Sequence, residues 1–344
     1  MVRVGSFHLA LAALLVLAGV GCAESWNQYP APDSSEERFG PAAAILDDGT
    51  VIVFGGESNA GEMFNDLHEF SQGKWRNIQT INPPPARLGA SLTQISDHEV
   101  ALYGGQGEYR MLLDFWVLDL DTHEWREVEV EEAPPPRKFH VAFFYDGTLY
   151  IAGGVGQDGK PRRDLWGYQV ESNAWIQGPD APEEFWGAYA TVYCQSPCSA
   201  YILGPVSLVY DLVKGVWRHL EAGGQPPPPK YLAAFARQGS KIHMFGGLYT
   251  HGERVYSTSC HFSYDLAAGS WTYHHGVPSP FEDTGLWGAQ AFWYEDRVRI
   301  EGGLLSWNCA ELLFEALLSG VHPFLASLPP ECYGWNKNVY EWCP

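Results

Sequence analysis

Positive charge is what this chain has least of. Its 344 residues carry 21 Lys and Arg against 41 Asp and Glu, a formal net charge of −20 with a pI of about 4.9. A surface of that sign repels phosphate backbones and anionic headgroups, so nucleic acid and membrane surfaces are not expected as partners. Long apolar runs are missing too, apart from "LALAALLVLAGV" at 9–20, which is too short for a comfortable membrane span. No GxxxxGK[ST], GxSxG or HExxH occurs, which leaves phosphate loops, nucleophile elbows and helical zinc-protease sites without a signature. The string "GVGQDG" (154–159) satisfies GxGxxG, but "KPRRDLW" follows it where a dinucleotide site needs a helix. Asn-x-Ser/Thr is absent as well. His274-His275 stands alone and reads as a solvated loop pair, so no metal and no cofactor are expected.

Arg3 followed by the apolar stretch 9–20 has the layout of an export signal. Cleavage after Ala23 would release a secreted or periplasmic protein with no membrane insertion. The stretch "AGVGC" partly fits a lipoprotein box that would anchor Cys22, although Gly19 stands where that box wants Leu. Simple export is the favoured reading, with residues 1–23 as the signal. Beyond Cys22 the cysteines number an even six, at 194, 198, 260, 309, 332 and 343, as expected of disulfides in an exported chain. Cys194 and Cys198 flank a short turn between two strand-like runs, within disulfide reach. Zinc is the weaker reading there, since CxxxC has no second pair nearby. Cys332 and Cys343 are expected to close the tail, which leaves Cys260 with Cys309.

Glycine and proline are plentiful, at 37 and 24, and the glycines are placed with a period. "VIVFGGESN" (51–59) returns as "VALYGGQGE" (100–108), "LYIAGGVGQ" (149–157), "IHMFGGLYT" (242–250) and "VRIEGGLLS" (298–306), with "YILGPVS" (201–207) as a degraded copy. Each glycine pair is preceded by a hairpin turn such as Asp48-Gly49 or Asp146-Gly147, and followed by a third strand. Then comes a Trp: Trp75, Trp125, Trp175, Trp217 or Trp271. Two residues before each stands Gly73, His123, Asn173, Gly215 or Gly269, types that tolerate the positive φ of a tight turn. Each unit is thus four antiparallel strands.

Glycine pair, spacer, third strand and Trp at fixed distance resemble the kelch repeat over about residues 26–318. That resemblance implies an all-β propeller of four-stranded blades around a channel. The glycines would end the second strand where neighbouring blades leave no room for side chains. Counting units predicts six blades over 24–320, with a C-terminal tail at 321–344. The sixth unit, with strands near 287–293, 298–301 and 310–317, lacks its Trp, and Trp26 is free near the start. An N-terminal strand is therefore expected to complete it and close the ring, giving a monomer without free edges.

Function is sought at the channel mouth. The inner strands begin at Arg38, Arg87, Arg137, Phe185, Lys230 and Leu286, followed by Phe39, Leu88, Lys138, Trp186, Tyr231 and Trp287. Three arginines at equivalent positions suit a carboxylate, and Trp186, Tyr231 and Trp287 offer apolar faces for a sugar or side chain. The expectation is a binding module for an acidic sugar or an acidic peptide or protein segment, with Arg38, Arg87, Arg137, Trp186, Tyr231 and Trp287 as its site and no catalytic residue. The competing expectation is an exported carbohydrate-active enzyme like the kelch mutarotases that act on sialic acid. It would need Glu57, His251 or Glu253 as a proton carrier. Strand alternation is the point of tension, because neighbouring residues face opposite ways.

Overall fold

A computed structural model describes residues 25–30, 38–58, 60–251, 254–274, 286–294, 297–301, 304–306, 333–335 and 338–343. The segment 1–23, Cys309, Cys332 and Glu253 lie outside them. Blade one comprises Ala42–Ile45, Val51–Phe54, Leu67–Ser71 and Lys74–Ile78. Blade two comprises Ser91–Gln94, Glu99–Tyr103, Phe115–Asp119 and Trp125–Glu127. Blade three holds Val141–Tyr145, Thr148–Ala152, Leu165–Gln169 and Ala174–Gln177, and blade four Tyr189–Cys194, Cys198–Leu203, Ser207–Asp211 and Val216–His219. Blade five holds Ala234–Gln238, Lys241–Phe245, His261–Asp265 and Ser270–Tyr273.

The turn chemistry works as the residue types demand. Gly73, His123, Asn173, Gly215 and Gly269 all take positive φ, between 53° and 75°. The first glycine of each pair is confined for a second reason. A Cβ on Gly55 would lie 2.6 Å from the Arg87 carbonyl oxygen, and one on Gly246 would lie 2.1 Å from that of Leu286. Both contacts are with the start of the next unit along the chain, where a methyl group does not fit. The tryptophans cross the same seams. Trp125 packs 5.2 Å from Phe54 and Trp175 packs 5.4 Å from Tyr103, each ring lying against the second strand of the preceding blade. The core is accordingly distributed: Ile52, Phe54, Leu102 and Trp125 fill one seam, and Tyr103, Phe115, Ile151 and Trp175 fill the next.

The expected six blades of four antiparallel strands are corrected to five. Five blades are formed from consecutive strands, and the last of these is itself irregular, because Gly223–Gly224 adds a fifth strand, parallel to Ser270–Tyr273. Beyond blade five, the described residues build no further four-stranded unit from consecutive strands. Instead, a sheet is assembled there from both ends of the chain, in the order Ser25–Pro30, Asn338–Cys343, Arg297–Glu301, Gln290–Tyr294. Its third strand comes from the segment expected as a tail, not from 310–317, which lies outside the described residues. A second tail strand, Tyr333–Trp335, pairs with Leu304–Ser306. This end sheet abuts blade one, where Phe292 packs 5.1 Å from Phe70. Among the described residues no helix is long and apolar enough to cross a membrane.

Candidate functional site

The three arginines converge on nothing; each is clamped inside its own blade. Arg87 is 1% exposed and Arg137 is 0% exposed, while Arg38 is 7% exposed. Arg87 donates to both oxygens of Asp114, at 2.8 and 2.7 Å, to the Gly104 carbonyl at 3.0 Å and to that of Pro85 at 2.9 Å. Arg137 repeats this with Asp164 at 2.8 and 2.6 Å, Gly153 at 3.0 Å and Pro135 at 3.0 Å. Arg38 donates to Asp66 at 2.8 and 3.1 Å and to Gly55 at 2.9 Å. Each guanidinium therefore ties the start of the inner strand to the first carbonyl of the glycine pair and to the Asp that introduces the third strand. Burial alone would raise these Asp carboxyls, but the guanidinium bonds and charge outweigh it and hold Asp114 and Asp164 below the usual carboxylate range. Asp66 is lowered too, against burial, with His68 as well as Arg38 bonded to it. Each guanidinium fork is filled by a part-buried carboxylate. Arg38, Arg87 and Arg137 are thus each engaged within their own blade. Lys230 takes the arginine's place in blade five, with Nζ 3.3 Å from the Gly246 carbonyl oxygen.

The alternation question resolves in the same geometry. The arginines turn into the blades, and aromatic residues one or two places after the inner-strand starts pack against one another. Phe39 lies 5.4 Å from Trp287 and 6.1 Å from Phe139, Phe139 lies 6.1 Å from Trp186, and Trp186 lies 4.8 Å from Tyr231. Trp186 and Trp287 are buried, at 2% and 0% exposure. These rings form a plug across one mouth of the channel. Behind it runs a chain of backbone bonds: Gly89 N–H to Gly40 O, Phe139 to Gly89, Gly187 to Phe139, Leu232 to Gly187 and Gly288 to Leu232, all 2.7–2.8 Å. All six residues take positive φ, including the non-glycines Phe139 (54°) and Leu232 (52°). Set into the plug is Lys138, 4% exposed. Burial pushes its ammonium down to about 8, and the Glu57 carboxylate pulls the other way.

From the plug the channel widens into a cavity of about 750 Å³ running to the inner hairpins at Asp47 and Asp97. Small residues such as Ala43 and Ser91 line it, and Arg237 is tied to Thr191 Oγ1 at 2.6 Å and the Val192 carbonyl at 2.7 Å. Of the residues named for proton transfer, Glu57 is buried at the plug and His251 is exposed in the blade-five loop. Cys194–Cys198 is a disulfide across the first hairpin of blade four. Cys260 forms no disulfide among the described residues, and Cys343 is described only as the end of a strand.

The sequence marks Arg110 and Arg163 in the glycine-pair loops, and the structure adds Tyr109, Leu113 and Lys160 beside them. Tyr109 is 87% exposed and Leu113 is 55% exposed, with exposed Arg110 between them. The neighbouring loop of blade three carries exposed Lys160 and Arg163, and the two loops touch through the Met111 N–H and the Gln157 side chain at 3.0 Å. The blade-five loop adds exposed Arg254 and Tyr256.

Comparison with known proteins supports a kelch-repeat propeller. A family described as KLHDC2/KLHL20/DRC7 Kelch-repeats domain matches residues 40–204. Among curated proteins, the chain is 26% identical over 252 residues to "Putative adagio-like protein 2" of Oryza sativa subsp. japonica, covering 71% of this chain and 33% of that protein. It is 27% identical over 254 residues to "Adagio-like protein 3" of the same organism, covering 65% and 40%. It is also 28% identical over 138 residues to "Dynein alpha chain, flagellar outer arm" of Chlamydomonas reinhardtii, covering 38% and 3%. The chain thus spans well under half the length of these relatives.

Proposed function

Because this chain carries a kelch-repeat β-propeller domain, we propose that it is a protein-interaction module whose glycine-pair loops take an acidic segment of a partner protein. The observation that carries this reading is the patch of Tyr109, Arg110 and Leu113 beside Lys160 and Arg163. Exposed apolar and aromatic groups interleaved with cations are placed together on a protein whose net charge is −20. Such a patch attracts acidic chains and anchors them by packing, as interface hot spots do. The loops stand on rigid blade strands, so the patch is preorganised. Export through the segment 9–20, with Cys22 as the alternative lipid site, belongs to the same proposal and would place the partner outside the cytoplasm. An acidic sugar at the plugged mouth has less support, because the arginines it needs are occupied by Asp66, Asp114 and Asp164.

Fluorescence anisotropy with labelled Glu/Asp-rich peptides carrying one aromatic residue tests this. Wild type should bind, and Arg110→Glu with Arg163→Glu should weaken binding by about tenfold or more, a loss of about 1.4 kcal/mol. The melting temperature should not change. No binding by wild type, or binding indifferent to the double charge reversal, contradicts the reading.

A further inference from the structure

Blade five departs from the others on the face it turns to the end sheet. Where other seams hold aliphatic and aromatic rows, three imidazoles meet here: His243 from the second strand, His261 from the third, and His274 directly after the fourth. The hairpin register brings them together. His261 sits opposite Phe245, two residues from His243 on the same face, and the His274 N–H donates to the His261 carbonyl at 3.1 Å. His243 Nδ1 lies 3.1 Å from His261 Nε2, the rings of His261 and His274 stack at 4.0 Å, and all three potential ligand atoms lie within 4.8 Å of one another. Among the described residues this is the one group of His, Cys, Asp and Glu with that spacing.

The geometry points to a binding site for a late first-row divalent cation, Zn²⁺ in the first place, held by His243, His261 and His274 in the seam between blade five and the end sheet. Ligand nitrogens about 2.0–2.1 Å from a tetrahedral zinc stand about 3.3 Å apart, close to the His243–His261 separation. Closing the wider pairs takes side-chain rotation of His274, the least buried of the three. Neutral imidazole is the form that offers a metal its lone pair. The walls are Phe245, 4.3 Å from His261, and Trp293, 5.6 Å from His243. An all-nitrogen donor set of this kind favours zinc or copper over magnesium or calcium, which require oxygen. Ser263 Oγ, 2.9 Å from His274 Nε2, is placed to orient that ring, as outer-shell groups do in metal sites. The cation would join the second, third and fourth strands of blade five.

The test is calorimetric titration of the full chain, chelator-stripped and with accessible thiols alkylated, with zinc chloride, alongside Co²⁺ absorption as a geometric reporter. One equivalent should bind at micromolar Kd or tighter, with visible cobalt bands of a low-coordinate site. His274→Ala, at the half-buried position, should weaken it by at least about tenfold, and His243→Phe should do the same. If His243→Phe does not fold, His274→Ala alone decides. No saturable binding by wild type, or binding unchanged in His274→Ala, overturns the site and leaves the three histidines as a packed aromatic seam.

Discussion

Blades one to three and blades four and five solve one structural problem differently. In the first three, a buried Arg–Asp pair ties the inner-strand start, the glycine-pair carbonyl and the third strand together. In blade four Phe185 stands at that position, fully buried, and in blade five Lys230 makes a single long bond to Gly246. The junction evidently does not require an ion pair. Once Arg and Asp are both present, however, each becomes indispensable to the other, since removing one strands a buried charge. The stringent positions in the first half of the ring are electrostatic, and in the second half they are apolar.

The sharpest way to break this comparison is to delete the cation in both halves. Arg87→Met should cost about 3–5 kcal/mol by leaving Asp114 unpaired. Lys230→Met should change stability by less than about 1 kcal/mol, since it removes a weak bond and a desolvated charge together. Urea denaturation of the two variants measures this, and equal losses would erase the distinction. Next in size is the mild substitution: Arg137→Lys keeps the charge but not the fork, and should cost about 1.5–3 kcal/mol. Reducing Cys194–Cys198 in blade four should cost about 2 kcal/mol, the entropic value for so short a loop, and is read from melting with and without reductant.

The pH dependence should divide in the same way, with smaller amplitude. Asp66, Asp114 and Asp164 have folded pKa values below their unfolded ones. Their stabilisation is complete above the unfolded value, about 3.9, and is lost as pH falls through the folded values. Arg87→Met should therefore flatten the acid limb. Lys138 and Lys230 are depressed to about 8, so the unfolded chain binds more protons between there and the ordinary lysine value. Stability contributed by these groups should rise with pH from about 8 upward, and Lys230→Met should remove its share of that rise. Stability that does not respond to either substitution would count against the burial assigned to these groups.

How much of this could be read in the residues depended on sequence distance. The hairpins and the positive-φ turns before each Trp are local, and the residue types announce them. The blade count failed at the chain ends. Arg297–Glu301 looks like the second strand of another unit, yet its neighbour is Asn338–Cys343, and nothing in a repeat pattern foretells that pairing. The arginine row was visible, but its meaning lay with Asp66, Asp114 and Asp164, which follow the arginines by 28, 27 and 27 residues. That offset of 27 or 28 was a usable signal, and its lapse after Phe185 and Lys230 separates the two halves of the ring. The three histidines, 18 and 13 residues apart on successive strands, match no motif, and only the hairpin register joins them.

The central claim is that the arginines build the blades and leave partner binding to the loops. A double-mutant cycle on Arg137 and Asp164, using Met and Asn, tests it most directly by urea denaturation. The account predicts a coupling of about 2–3 kcal/mol, within the range for residues sharing one buried network. A coupling below about 0.5 kcal/mol, the level of independent sites, would contradict it and return the arginines to the channel mouth as candidates for a ligand.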